Sequence, residues 1–195
     1  RVDVAVHSFK DMASRPTLGL RQYFPEREDV CDVLVGGALE DLPQGARVGT
    51  GSPRRVAQLR RRRPDLDIQP IRGNITTRLS RLNTGDFDAI VLAKAGLKRA
   101  GLFEPARDFD LDPMDFTPAT GQGQLAIECR ADDSLPIEDT VLSSAIDRRL
   151  AVVERYFARE LNFGCHTPAA VWARVNGRQI SAVIDVLKPD GSESL

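Results

Sequence analysis

Histidine, cysteine and tryptophan are scarce in this 195-residue chain, at two, three and one. Two histidines, His7 and His166, are too few for a multi-histidine metal centre. Cys31, Cys129 and Cys165 form no C-x-x-C pair, so neither a structural zinc site nor any other metal centre is expected. Their odd number also argues against a disulfide framework and for a reducing compartment. Long apolar runs are missing as well. Nothing approaches the roughly 18 residues that span a bilayer, and no signal-type apolar segment opens the chain, so no membrane role is expected. Charge of one sign is absent overall, since 27 Lys+Arg face 28 Asp+Glu for a net charge of −1. A hydrophobic share of 42% with 28% charged residues excludes wholesale disorder and fits a soluble globular protein. The length allows one large domain or two to three small ones.

The even balance conceals a basic middle. Between Arg47 and Arg107 stand fourteen Lys+Arg and five Asp+Glu, so the flanking segments are acidic. A locally cationic site for an anionic ligand is one reading, and a solvated arginine-rich surface is the other. Both ends also look interrupted. Arg1, not Met, leads straight into a strand-like run, and the chain stops after the turn Lys188-Pro189-Asp190-Gly191. An internal fragment is therefore expected.

Hydrophobic patterning predicts strands at Val2–Val6, Val30–Val35, a short run ending Arg47-Val48-Gly49-Thr50, Asp67–Ile71, Asp88–Leu92 and Leu125–Ile127. Helices are expected at Pro53–Arg63, Ile75–Leu82 and Lys94–Ala100. This alternation implies crossover units and a mainly parallel sheet, an α/β fold. The Pro/Gly-rich stretch Pro113–Gly123 reads as a crossing between domains. A long helix is expected over Pro136–Leu161. Its apolar stripe is Leu142, Ile146, Leu150, Val153, Phe157 and Leu161, with Asp147, Arg148, Glu154 and Arg155 on the opposite face. Ala169–Val175 and Gln179–Leu187 around Asn176-Gly177 predict a hairpin, opening a small antiparallel unit from about Pro136 onward.

Several segments carry chemistry. In Gly49-Thr50-Gly51-Ser52-Pro53-Arg54-Arg55, Ser52 suits an N-cap and Pro53 the first helical position. Free N–H groups there, with two forked guanidinium groups, suit a carboxylate or phosphate, although the Walker A ending is missing. Arg72-Gly73-Asn74 repeats the arrangement at the next strand end. Thr76 or Thr77 is placed to close that turn, Arg78 lies one turn into the following helix, and Arg99 sits on a third. In an open parallel sheet such residues gather outside the carboxyl ends of the strands. Arg60-Arg61-Arg62-Arg63 ends a helix and suits its dipole, and no aromatics interleave it as a single-strand nucleic-acid reader would require. His7-Ser8-Phe9-Lys10-Asp11 pairs a cation with a carboxylate after the first strand. Cys165, on a glycine-containing loop, is a candidate attachment point or nucleophile, against the plainer reading of a buried inert thiol. Cys31 and Cys129 are read as inert.

Taken together, these segments resemble the porphobilinogen deaminase (hydroxymethylbilane synthase) family. The resemblance rests on Val4–Asp11, Val48–Arg55, Arg72–Leu79, Leu92–Arg99, Pro118–Gln124 and Gly164-Cys165, in order across almost the whole chain. It implies two periplasmic-binding-protein-like lobes, the first incomplete, followed by a small α+β domain with an antiparallel sheet. The expected domains are 1–26 with 119–135, 27–118, and 136–195. It further implies a transferase of heme and other tetrapyrrole biosynthesis that condenses four porphobilinogen molecules head to tail into hydroxymethylbilane with loss of ammonia. The cofactor implied is dipyrromethane, held covalently by Cys165. Asp11 would stabilise the azafulvene cation formed as ammonia leaves. Lys10, Thr50, Ser52, Arg54, Arg55, Arg72, Gly73, Arg78 and Arg99 would bind substrate and cofactor carboxylates. The family pattern departs at Gly51, where a second hydroxyl often stands, and at Phe163, where glycine is common. The resemblance also implies that the start of the first domain and the end of the third are missing, so that these 195 residues alone are expected to be inactive or poorly folded. A cytoplasmic monomer acting on a small molecule, without nucleic acid or membrane, is expected. A non-catalytic anion-binding lobe would use the same arginines but neither Asp11 nor Cys165. A nucleic-acid binder would use the basic middle.

Overall fold

The computed structural model describes residues 2–13, 15–133, 142–163 and 167–192. Its elements form a mixed α/β architecture with three sheets. Strands β1 (Val4–Ser8) and β2 (Leu20–Tyr23) flank β8 (Leu125–Arg130) in an antiparallel sheet, and a short 3-10 turn, Phe9–Asp11, follows β1. The five-stranded sheet contains β3 (Asp32–Val35), β4 (Arg47–Gly49), β5 (Asp67–Gln69), β6 (Ala89–Ala93) and β7 (Asp108–Leu111) in the order β5-β4-β6-β3-β7. Between them run α1 (Pro53–Arg62), α2 (Ile75–Asn83) and α3 (Lys94–Arg99). Helix α4 (Ala145–Glu160) then precedes the hairpin β9 (Ala169–Asn176) and β10 (Gln179–Val186). The chain crosses between the first two sheets twice, through 24–31 and 112–124.

The five-stranded sheet is mixed, not mainly parallel. Only β4 pairs parallel, with β5 and β6, the strands it reaches through helical crossovers. Strand β3 arrives from the other sheet and runs antiparallel to β6 and β7. Its alternation builds two cores. Leu34, Val48, Ala89 and Val91 pack on one face with Leu59 of α1, and Val33, Val35, Ile90 and Leu92 on the other with Leu79 of α2 and Leu97 of α3.

Several expectations about elements need correction. Strand β1 begins at Val4 and takes in His7 and Ser8, so only Phe9–Asp11 follow it. Strands β2 and β7 have no clear apolar run: each is a four-residue edge strand whose first or central residues face outward. The long helix starts at Ala145, because Ser144 is extended and its side chain accepts a hydrogen bond from the Asp147 N–H. The predicted start at Pro136 lies outside the described residues. The buried face of α4 is Asp147, Leu150, Ala151, Glu154 and Ala158, while Ile146 and Leu161 are exposed. Asp147 and Glu154, expected on the outer face, point inward because chain elsewhere supplies their partners. In the hairpin the two-residue loop is Gly177-Arg178, one position later than expected, with Gly177 at φ 61°.

Candidate functional site: a cationic cluster beside the Phe9–Asp11 turn

The loop after β4 folds as its residues dictate. Ser52 caps α1 by accepting from the Arg55 N–H, Thr50 Oγ1 accepts from the Ser52 N–H, and Pro53 opens the helix. Both hydroxyls keep a proton to donate. After β5, Asn74 caps α2 by accepting from the Thr77 N–H and from the hydroxyls of Thr76 and Thr77. Gly73, at φ 111°, makes this turn in a conformation that side chains resist, and its carbonyl accepts from Arg78 Nε at 2.8 Å. The turns after β4 and β5 thus stand side by side, and Thr50 N–H donates to the Gln69 carbonyl at 3.0 Å.

The predicted cations divide into two kinds. Arg54 and Arg55 are buried and converge on Asp32, which has no exposed surface, with Nη2–oxygen distances of 2.7 and 2.6 Å. Arg54 also donates to Gln58 Oε1 and the Thr117 carbonyl, and Arg55 to the Val91 carbonyl. Burial alone would push the Asp32 carboxyl up. The two guanidinium charges and their hydrogen bonds overcome that and hold it well below the usual carboxylate range. Arg54 and Arg55 thereby form a fixed inner layer, each with a buried Nε that has no acceptor among the described residues.

Arg72 is exposed and makes no hydrogen bond or ion pair among the described residues. Among the described residues neither Nη group of Arg78 has an acceptor, and desolvation and the charge of Arg55 lower its pKa. Arg99 donates one Nη to the Gly123 carbonyl at 2.6 Å, which ties α3 to the return crossing. Lys10 reaches Gln122 Oε1 at 3.4 Å. Desolvation and the neighbouring Arg55 lower its pKa to about 8, against the opposing influence of Asp32 and Asp11. Asp11 is exposed beside it. The structure therefore brings together Lys10, Asp11, Arg54 and Arg55, with Arg78 in electrostatic reach of Arg55. Arg72 follows β5, and Arg99 is the last residue of α3.

Four residues of the site were not singled out by sequence reasoning. Asp32 is the charge at the head of a strand whose four residues are all buried, and that is the one signal that marks it. Gln122, fully buried, donates to Asp32 Oδ1 and the Val30 carbonyl and so connects Lys10 to Asp32. Glu154 accepts from Arg27 through both oxygens, at 2.7 and 3.2 Å, and from the Gly121 and Ala173 N–H groups. Arg27 in turn donates Nε to the Gln122 carbonyl. Nothing local in the sequence marks Arg27.

The run Arg60–Arg63 belongs to the fold. Arg61 pairs with Asp185, Arg62 with Asp115 and Arg63 with Asp65, while Arg60 donates to the Pro189 carbonyl. Cys129 is buried. Cys31 is half-buried, and burial followed by the bond and charge of Asp29 pushes its thiol up to about 12, so neither is an activated nucleophile. Cys165 and His166 lie outside the described residues. No group of three or more potential metal ligands occurs among the described residues, and no described helix is long and apolar enough to cross a membrane.

The fold and the cluster define a mixed α/β protein with cations gathered around a buried carboxylate, Asp32, beside the Phe9–Asp11 turn. Residues 1–138 match the family model for the porphobilinogen deaminase dipyromethane cofactor binding domain. The porphobilinogen deaminase of Corynebacterium diphtheriae is 42% identical over 98% of this chain and 66% of its own length. Those of Corynebacterium efficiens and Listeria welshimeri are 43% and 46% identical over 100% of this chain, and over 67% and 65% of theirs. This chain belongs to the porphobilinogen deaminase family. It spans about two thirds of the length of these relatives. A TRAP periplasmic solute binding protein from Pseudomonas putida aligns at a TM-score of 0.37 with 16% identity, over 76% of this chain and 46% of that one, a likeness too slight to build on.

Proposed function

We propose that this chain is the central part of a cytoplasmic, monomeric hydroxymethylbilane synthase, which joins four porphobilinogen molecules head to tail and releases ammonia each time. The observation that carries this reading is the pairing of exposed Asp11 with Lys10 on a fixed turn beside the Arg54–Asp32–Arg55 cluster. A binding lobe needs the cations, and Asp32 to hold them, but has no use for a second, exposed carboxylate beside them. A reaction that expels ammonia from a pyrrole does, because positive charge grows on the ring as the amine departs.

The residues suit a dipyrromethane bearing several carboxylates. Arg54 and Arg55 each hold an acceptor-free buried Nε, and Arg72 and Arg78 keep open donors. When bound, that group supplies the pyrrole α-carbon onto which the chain grows, and we assign its attachment to Cys165. Lys10, Arg72, Arg78 and Arg99 bind acetate and propionate groups, assisted by the Thr50 and Ser52 hydroxyls and by backbone N–H groups beside Gly73. Arg54 and Arg55, immobilised by Asp32, supply fixed positive potential without reorganising. Asp11 stabilises the cation that develops on the substrate as ammonia leaves.

We further assign the three sheets to three domains: 1–26 with 119–135, 27–118, and 136–195. We read the first two as lobes of the periplasmic-binding-protein type, as the family resemblance implies. The double crossing through 24–31 and 112–124 supports the first boundary. Asp11→Asn should lower turnover of porphobilinogen by several orders of magnitude in the full-length protein while the primer stays attached. Near-normal turnover in that variant would refute the role given to Asp11.

A further inference from the structure

Asp11 lies on a turn of three residues, too short to hold its own geometry. The turn is braced at its first residue. Phe9 is buried, stands edge-to-face with Phe24 at 5.0 Å, and donates its N–H to the Gln124 carbonyl at 2.9 Å. Gly121, at φ 76°, lies against the Phe9 ring where a Cβ would approach to 2.7 Å. The remaining brace comes from a distant element. Arg155 of α4 donates Nη2 to the Phe9 carbonyl, and its Cζ sits 4.2 Å from the centroid of the Phe9 ring. The neighbouring residue, Glu154, is fully buried and held by Arg27, Gly121 and Ala173, so the register of α4 is fixed and Arg155 is delivered to one place. Asp11 is close enough for its charge to act on that guanidinium. Arg155 thus grips the residue two before Asp11 by hydrogen bond and by cation–π contact, from the helix that runs on toward Cys165 in the sequence.

We infer that Arg155 is a positioning residue that fastens the Phe9–Asp11 turn to helix α4 and thereby sets where the Asp11 carboxylate stands. The functional half of this inference rests on the deaminase reading; the brace itself does not. Shifting a reacting group by about an ångström costs on the order of a hundredfold in rate, so a loosened turn reads out in kcat. KM, to which Arg72, Arg78 and Arg99 contribute from outside the turn and Lys10 from within it, changes less than kcat.

The test uses Arg155→Met and Arg155→Lys in the full-length protein, with Asp11→Asn as reference. Hydrogen exchange at the amides of residues 10–12 is followed together with kcat and KM per primer-loaded molecule, counted by intact mass. Arg155→Met, which keeps the stem and loses the cation, should speed exchange in the turn and lower kcat roughly tenfold or more. Arg155→Lys keeps a donor and a cation over the ring and should recover most of both. Unchanged exchange and kcat in Arg155→Met would overturn the inference, as would a lysine variant no better than methionine. Exchange that responds to Arg155 in a protein that never consumes porphobilinogen would uphold the brace and refute the deaminase reading.

Discussion

At Lys10 the surrounding chain withholds water from an amine that ordinarily keeps its proton to above pH 10. Desolvation and Arg55 bring its pKa to about 8, and two opposite consequences follow. Between about pH 8 and 10.5 the unfolded chain binds more protons than the folded one, so the stability cost of burying this cation lessens as pH rises. Over the same range Lys10 discharges and its hold on a carboxylate weakens. KM for porphobilinogen should therefore climb above about pH 8 in steady-state assays, and Lys10→Arg, which stays charged, should flatten the climb. An unaltered alkaline limb in Lys10→Arg would remove Lys10 from carboxylate binding. Lys10, Arg54 and Arg55 were legible in the sequence because motif and strand-end position both mark them. Asp32 and Gln122 were not, since their roles arise only when β3 and the return crossing meet.

Helix α4 shows how a period can mislead. Apolar spacing put Ile146 and Leu161 inward and Asp147 and Glu154 outward, yet the structure does the reverse. Arg27, 127 residues earlier, neutralises Glu154, and two backbone N–H groups complete its shell. A buried carboxylate is tolerated only with such partners, and no periodicity reveals them. The hairpin was legible almost to the residue because its register depends on local turn chemistry and alternation. Strands β2 and β7 were not, being short edges held by neighbours distant in sequence. Glu154→Gln leaves Arg27 unpaired and turns an acceptor into a donor facing N–H groups. It should destabilise the protein by about 3–5 kcal/mol in denaturant unfolding. A loss below about 1 kcal/mol would mean that Glu154 is not the joint described.

Across the whole molecule, carboxylates on one unit repeatedly meet guanidinium groups on another. Glu154 binds the crossing at Arg27. Asp185 of β10 holds Gln58 and Arg61 of α1, and the Lys188–Gly191 turn lies against the end of that helix through Arg60. Most of the basic middle is thus paired within the protein, and in the reading proposed above Arg72, Arg78 and Arg99 join Lys10 in holding the ligand. The order of motifs along the chain made the family legible, while the joints between sheets were hidden because each pairs residues far apart in sequence. We propose that this cation cluster works on a primer covalently held at Cys165. The most direct test is the intact mass of the denatured full-length protein beside its Cys165→Ala variant. A dipyrromethane-sized increment on the parent alone is the result predicted. A parent that carries no increment, and gains none when given porphobilinogen, would contradict the account.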